Sequence, residues 1–177
     1  MKKFDSYLTI PSDKIFWCSY FMRYVCDECF SDDYSAIPVF ILNFWDFSKF
    51  PICKKAKEVL TEWYDKPIIN LKSSDDIISK SSTLKKCVVL KRKIHRIFDY
   101  LKCESSESFA IQTLGEYKYL VLLENLFSLR DLCEICEGIF EDKLLDFLKL
   151  FENHIFIDCN VFVNLNFRFA NIKGDRV

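Results

Sequence analysis

The sequence predicts an α+β fold, helix-rich in its N-terminal half, with antiparallel hairpins in the C-terminal half packed with an amphipathic helix. Three observations predict it. Half of the 177 residues are hydrophobic and 16% are aromatic, which is enough to build a sizeable core. Apolar residues recur at helical spacing as far as Glu104 and alternate in several runs after it. Glycine occurs only at Gly115, Gly138 and Gly174, and the first of these stands where a hairpin turn needs a positive φ. The length suits a single domain, 1–177.

Taken in order, Ser12 or Asp13 is a suitable N-cap for a helix over 13–30 that is apolar almost all round and therefore buried. The stretch VFILNFW reads as a short buried strand or a buried helical turn. Pro51 suits the first turn of a helix with Ile52, Ala56, Val59, Leu60 and Trp63 on one face, and Pro67 stops it. Residues 68–71 form a candidate strand, and the serine-rich segment 72–83 a mobile loop. Helix 84–102 is the clearest amphipathic element, with Leu84, Cys87, Val88, Ile94, Phe98 and Leu101 on its apolar stripe. A hairpin is expected over 108–123 around Gly115, then an acidic helix over 128–151, then two strands over 154–172.

Composition excludes several function classes. The formal net charge is −1, so the whole protein has no electrostatic drive towards nucleic acid. No glycine-rich phosphate loop and no GxSxG elbow is present. The two histidines, His95 and His154, lie in unrelated contexts, which leaves no local support for a triad or an HExxH metal site. The opening MKKFDSYLTIPSDK lacks a signal-peptide core, and apolar stretches such as 37–42 are too short to span a bilayer. The expected compartment is intracellular and cytoplasmic, with the nine cysteines reduced and mostly in the core. The bias to lysine over arginine, with few Gly, Ala and Pro, fits an AT-rich genome.

Two CxxC pairs, Cys26 with Cys29 and Cys133 with Cys136, are the alternative to core thiols. Four thiolates from two such turns are a usual way to hold zinc. Both pairs read as helical, where i and i+3 merely share a face, so no metal, no disulfide and no cofactor is expected. Between Pro38 and Leu71, Phe44-Trp45 precedes Pro51 and Cys53-Lys54. This segment resembles the first active-site unit of thioredoxin-like proteins, in which a strand leads to a CxxC at a helix N-terminus. The resemblance implies a redox protein using Cys53, degenerate because Phe50 stands where the first cysteine belongs.

The basic face of helix 84–102 carries Lys85, Lys86, Lys91, Arg92, Lys93 and Arg96. It can meet phosphates, an acidic protein, or this chain's own acidic residues Asp131, Glu134, Glu137, Glu141 and Asp142. The function this reading favours is a non-catalytic binding protein that docks on a larger intracellular protein or ribonucleoprotein assembly. Its partner-binding residues are Lys85, Lys86, Arg92, Lys93 and Arg96, and nucleic-acid contact is confined to helix 84–102. The alternative is the thioredoxin-like protein using Cys53.

Overall fold

The computed structural model describes residues 14–71, 75–101 and 106–158. The chain divides into two compact units, Met1–Lys85 with Asn125–Ile139, and Lys86–Glu124 with Phe140–Val177. Helices and short antiparallel strands are mixed, which is the α+β class. Their order is the reverse of the expected one: most of the paired strands come early and the later residues are largely helical.

The segment expected as the buried helix 13–30 is a hairpin. Strand β1 (Phe16–Cys18) pairs antiparallel with β2 (Arg23–Val25), and a 3₁₀ turn follows at Asp27–Cys29. Five aromatic rings between Phe16 and Tyr24 favour a pleated surface over a helix. Phe16 stacks on Phe30 with ring centroids 3.8 Å apart, and Cys18 is fully buried while Trp17 between them is exposed. The hairpin is fastened by Ser19, whose N–H donates to the Pro51 carbonyl at 3.0 Å.

Strand β3 (Asp33–Ala36) leads into helix α1 (Pro38–Phe44), and the chain returns as β4 (Lys49–Ile52), antiparallel to β3. Pro38 opens α1 where no N–H is needed, and Trp45 closes it in the left-handed region. VFILNFW is therefore helix, which removes the strand on which the thioredoxin-like resemblance depended. Pro51, expected inside the next helix, lies in β4 instead; a two-stranded sheet has free edges that tolerate a missing donor. Helix α2 (Lys54–Trp63) starts from Cys53 and buries Ala56 and Leu60, while Trp63 is exposed. Strand β5 (Ile69–Asn70) follows, then helix α3 (Asp75–Lys80), so the expected loop 72–83 contains a helix. The Lys80 ammonium reaches the Asn43 carbonyl at 2.5 Å.

Helix α4 (Ser82–Tyr100) realises the amphipathic element, with Leu84, Cys87, Val88, Ile94 and Ile97 buried. Lys91 departs from the basic face. It falls on the apolar stripe, three residues before Ile94, and is fully buried with its ammonium 5.2 Å from the Tyr119 ring centroid. The expected hairpin 108–123 is helical: α5 (Ser106–Leu114), a 3₁₀ turn at Gly115–Tyr117, and α6 (Tyr119–Leu122). Ala110, Leu114, Tyr117 and Val121 are all buried at spacings of three and four, which is helical periodicity. Gly115, at φ +53°, opens the 3₁₀ turn instead of reversing a hairpin.

The chain then re-enters the first unit. Strand β6 (Leu126–Phe127) pairs with β5, and the Leu71 N–H donates to the Asn125 carbonyl at 3.1 Å. Helix α7 (Leu129–Cys136) begins with a buried capping box. The Ser128 hydroxyl accepts the Asp131 N–H at 3.1 Å, and the Asp131 carboxylate accepts the Ser128 N–H at 2.9 Å. Gly138, at φ +79°, splits the expected acidic helix, and α8 (Ile139–Asn153) carries Phe140, Leu144, Leu148 and Phe151 inward in the second unit. Tyr117 lies 5.8 Å from Phe147, and Phe109 stacks on the buried His154 at 3.9 Å. Of the strands expected over 154–172, residues His154–Asp158 form a π-helical turn and the rest lie outside the described residues.

Ser128 and Asp131 are both wholly inaccessible to solvent, so neither group can turn to water if its partner is lost. Ser128→Ala is expected to lower unfolding free energy by about 1–2 kcal/mol, seen as a lower urea midpoint with unchanged slope.

Candidate functional site

Two groups of side chains carry chemistry: a thiol cluster in the first unit and a basic face on α4.

The thiol cluster joins Cys26 and Cys29 to Cys18 and Cys53. Cys53 caps α2, and its N–H donates to the Cys18 sulfur at 3.3 Å. Burial pushes the Cys18 thiol up, but the N–H groups of Phe21, Cys53 and Tyr20 and the Cys53 thiol more than offset it and bring it below the ordinary thiol value. The Cys26 thiol is lowered first by the Cys29 N–H and then by the Cys29 thiol, with a smaller share from the Glu28 N–H. Cys29 is raised, because its thiol hydrogen-bonds to Cys26 and because negative charge on Cys26, and further off on Cys53, opposes its ionisation. Cys18 and Cys26 are thus each followed by a tight turn whose N–H groups at i+2 and i+3 face the sulfur. Among the described residues no three His, Cys, Asp or Glu side chains stand at metal-ligating spacing as the thiols are placed.

The second CxxC pair takes no part in this. Cys133 and Cys136 lie on α7, and burial followed by the Glu137 charge raises both thiols. The sequence grouped Cys26 and Cys29 with Cys133 and Cys136; the groups acting on each thiol join them instead to Cys18 and Cys53. Cys53, the thiol of the thioredoxin-like alternative, is only 4% exposed. Phe50 lies on β4, tilted against Phe40 with centroids 4.6 Å apart.

On α4, Lys85, Lys86 and Arg96 are exposed and Arg92 and Lys93 half-buried. Two of the five are neutralised locally. Lys86 lies 3.3 Å from Glu141, and Arg92 lies 3.8 Å from Glu124. The side chains of Lys85, Lys93 and Arg96 have no ion-pair or hydrogen-bond partner among the described residues. On a helix, positions 85, 92 and 96 fall in one stripe, and 86 and 93 in the neighbouring one. The intramolecular pairing anticipated for the basic helix is therefore partial: Glu141 takes Lys86, while Asp131 is spent on the α7 cap.

Neither histidine is placed for catalysis. His95 Nδ1 lies 2.6 Å from the Val121 carbonyl, and His154 is buried under Phe109. An open cleft of about 330 Å³ in the first unit is lined by Ser35, Thr61, Tyr64 and Asp65 with Leu60 and Leu129, and it contains no histidine or cysteine to activate a hydroxyl.

Residues 16–167 match a family model described as the Rubicon Homology Domain. The chain is 32% identical over 145 residues to "Protein associated with UVRAG as autophagy enhancer" from Bos taurus, covering 78% of this chain and 21% of that protein. It is 28% identical over 150 residues to "Pleckstrin homology domain-containing family M member 3" from Xenopus laevis, covering 83% and 20%. It is 28% identical over 145 residues to "Differentially expressed in FDCP 8 homolog" from Drosophila melanogaster, covering 78% and 29%. The chain therefore spans between a fifth and a third of the length of these relatives.

The thiols differ enough to be ranked by reaction. In chelator-treated, reduced protein, iodoacetamide at neutral pH is expected to modify Cys26 before Cys53, Cys133 or Cys136. Cys26 is exposed with its thiolate favoured, Cys53 is buried, and the other two are held protonated. Lowering the pH should slow the Cys26 reaction as its thiolate is lost, and peptide mass spectrometry reads the order.

Proposed function

The chain belongs to the Rubicon homology domain family, and from that premise we propose that it is a non-catalytic module that docks on a larger protein through the basic face of α4. The observation that carries the reading is the charge left over there. Among the described residues, Lys85, Lys93 and Arg96 have no acidic partner, and they lie on a helix whose opposite stripe is largely buried. An acidic surface on another protein is the natural complement, and the charge steers its approach. By their names, the relatives include a protein associated with UVRAG as an autophagy enhancer, so an autophagy protein is the first partner class to test. Support for a ribonucleoprotein partner does not go beyond the charge itself, since the aromatic platform that stacks RNA bases is not part of this face. Burial of Cys53 weighs against the redox alternative, because exchange requires an accessible thiolate.

Reversing the three free cations tests the docking face. Lys85→Glu, Lys93→Glu and Arg96→Glu together should leave stability within about 0.5 kcal/mol, because no internal pair is broken. Binding to the acidic partner should fall about tenfold or more, and added salt should weaken the wild type in the same way. Unchanged affinity in the triple variant refutes the face.

A second reading rests on the thiol cluster. We propose that Cys18, Cys26, Cys29 and Cys53 hold a structural zinc ion. The supporting observation is the N–H groups of Tyr20, Phe21, Glu28 and Cys29 aimed at Cys18 and Cys26, which favour the thiolate form that a metal takes. When bound, the ion would be held by the thiolates of Cys18, Cys26, Cys29 and Cys53 and would tie the hairpin to the start of α2. Elemental analysis of protein purified without chelator should give about one zinc per chain at this site. Cys26→Ser with Cys29→Ser should remove it, whereas Cys133→Ser with Cys136→Ser should not. Zinc that survives the first pair of changes disproves the assignment.

A further inference from the structure

The cationic face of α4 has an acid of this chain's own seated on it. Lys86 and Lys93 stand two turns apart along one side of the helix, so they share a stripe about 10 Å long. Glu141, in the first turn of α8, reaches the Lys86 end of that stripe, with its carboxylate 3.3 Å from the ammonium. Both residues belong to the second unit.

The two halves of the pair are held differently. Glu141 follows the fully buried Phe140 and comes three residues before the fully buried Leu144, so core packing fixes its place. Its side chain is 25% exposed, whereas that of Lys86 is 62% exposed. Lys86 is anchored only through the backbone beside the buried Cys87, and its four-carbon stem can swing away. An exposed lysine–carboxylate pair is weak, because water screens it and two long side chains lose freedom in forming it. It therefore adds little to the fold. What it changes is the face. It takes up a cation that an acidic partner would otherwise meet, and it sets a carboxylate where the partner's carboxylate would go. The Arg92–Glu124 pair is looser, at 3.8 Å, and Glu124 has further contacts of its own, so Glu141 is the acid that can be removed more cleanly.

We propose that Glu141 is a built-in competitor of the docking partner, holding Lys86 until a carboxylate of the partner takes its place. This rests on the docking reading of α4 and adds its regulation. The pair sets a threshold of acidity. A partner with a few scattered carboxylates meets Lys85, Lys93 and Arg96 and is repelled by Glu141. A partner with a dense acidic stretch displaces Glu141 and gains Lys86 as well. Selectivity among acidic partners then comes from a repelling charge on the face as much as from the attracting ones.

Fluorescence anisotropy of the full chain with a labelled poly-L-glutamate peptide of about 20 residues tests it, at about 50 mM salt so that exposed charges still act. Glu141→Gln, which keeps the size of the side chain, should tighten binding about threefold with thermal unfolding unchanged. Lys86→Gln should weaken binding about threefold in the Glu141→Gln protein but less than about 1.5-fold in the wild type, where Lys86 is already engaged. Glu107→Gln on α5 makes the same change in net charge and should not tighten binding. Glu141→Ala gives an independent variant if the glutamine change perturbs the fold. No tightening in either Glu141 variant overturns the proposal. So does an equal effect of Lys86→Gln in both backgrounds, or equal tightening by Glu107→Gln, because Glu141 then acts only through net charge. The variant Lys85→Glu, Lys93→Glu, Arg96→Glu separates the two readings. If it binds the peptide as tightly as the wild type, the docking face itself is refuted and this proposal falls with it; if it binds weakly while the Glu141 variants do not tighten, only this proposal falls.

Discussion

The buried capping box of Ser128 and Asp131 holds the point at which the chain comes back to its first unit. Residues 86–124 belong to the second unit, so everything that completes the first must be done by the segment Asn125–Ile139. Its strand contribution is small: β6 offers two residues to β5. The rest is done at the start of α7. The two capping hydrogen bonds fix its first turn, and the Arg130 N–H donates to the Tyr64 carbonyl at 3.0 Å while its guanidinium lies 3.3 Å from Asp65. Only then do Leu132 and Ile135 point into the core. A fully buried carboxylate is costly unless its oxygens are bonded, so the same box that starts the helix also makes Asp131 tolerable there. Two-residue ladders cannot enforce this register alone, and the cap supplies what they lack.

How much of this was legible depends on whether a segment's pattern had one reading. Helix α4 was, because its apolar stripe and its cations separate cleanly at a period of 3.6; even Lys91 obeys that period, and only its charge disguised it. The acidic helix was legible except for the break at Gly138, where a positive φ ends α7. The 16–25 segment was not, because aromatic residues lie on both faces of the hairpin and erase the alternation. What decides it is tertiary: Cys18 takes the N–H groups that a helix would spend on carbonyls. The hairpin expected at 108–123 failed for the opposite reason. Gly115 was read as a turn, although Ala110, Leu114, Tyr117 and Val121 already carried helical spacing through it. For the thiols, the CxxC at Cys26 was visible, but its companions were hidden. Cys18 and Cys53 are single cysteines far apart in sequence, and only the placement of α2 against the hairpin unites them.

The near-zero net charge conceals local segregation. On α4 the core-facing stripe absorbs one lysine over an aromatic ring, two cations are matched by Glu141 and Glu124, and three have no partner among the described residues. The paired ones sit at the surface, where such bridges contribute little to stability, so they shape the charge pattern more than they hold the helix. Stability in the second unit rests on the apolar seam of Ile94, Leu114, Leu120, Phe140, Leu144 and Phe151.

The two outward-facing features differ in the physics that would seat a partner on them. Attraction between the α4 cations and an acidic surface fades beyond a Debye length of about 8 Å at physiological ionic strength, so it speeds encounter and yields to salt. An apolar face such as that of Trp17 and Tyr24 on the hairpin would hold a partner by removing apolar area from water, which salt does not weaken. A partner held by α4 alone should therefore exchange readily, whereas one held by the hairpin should persist through a salt wash.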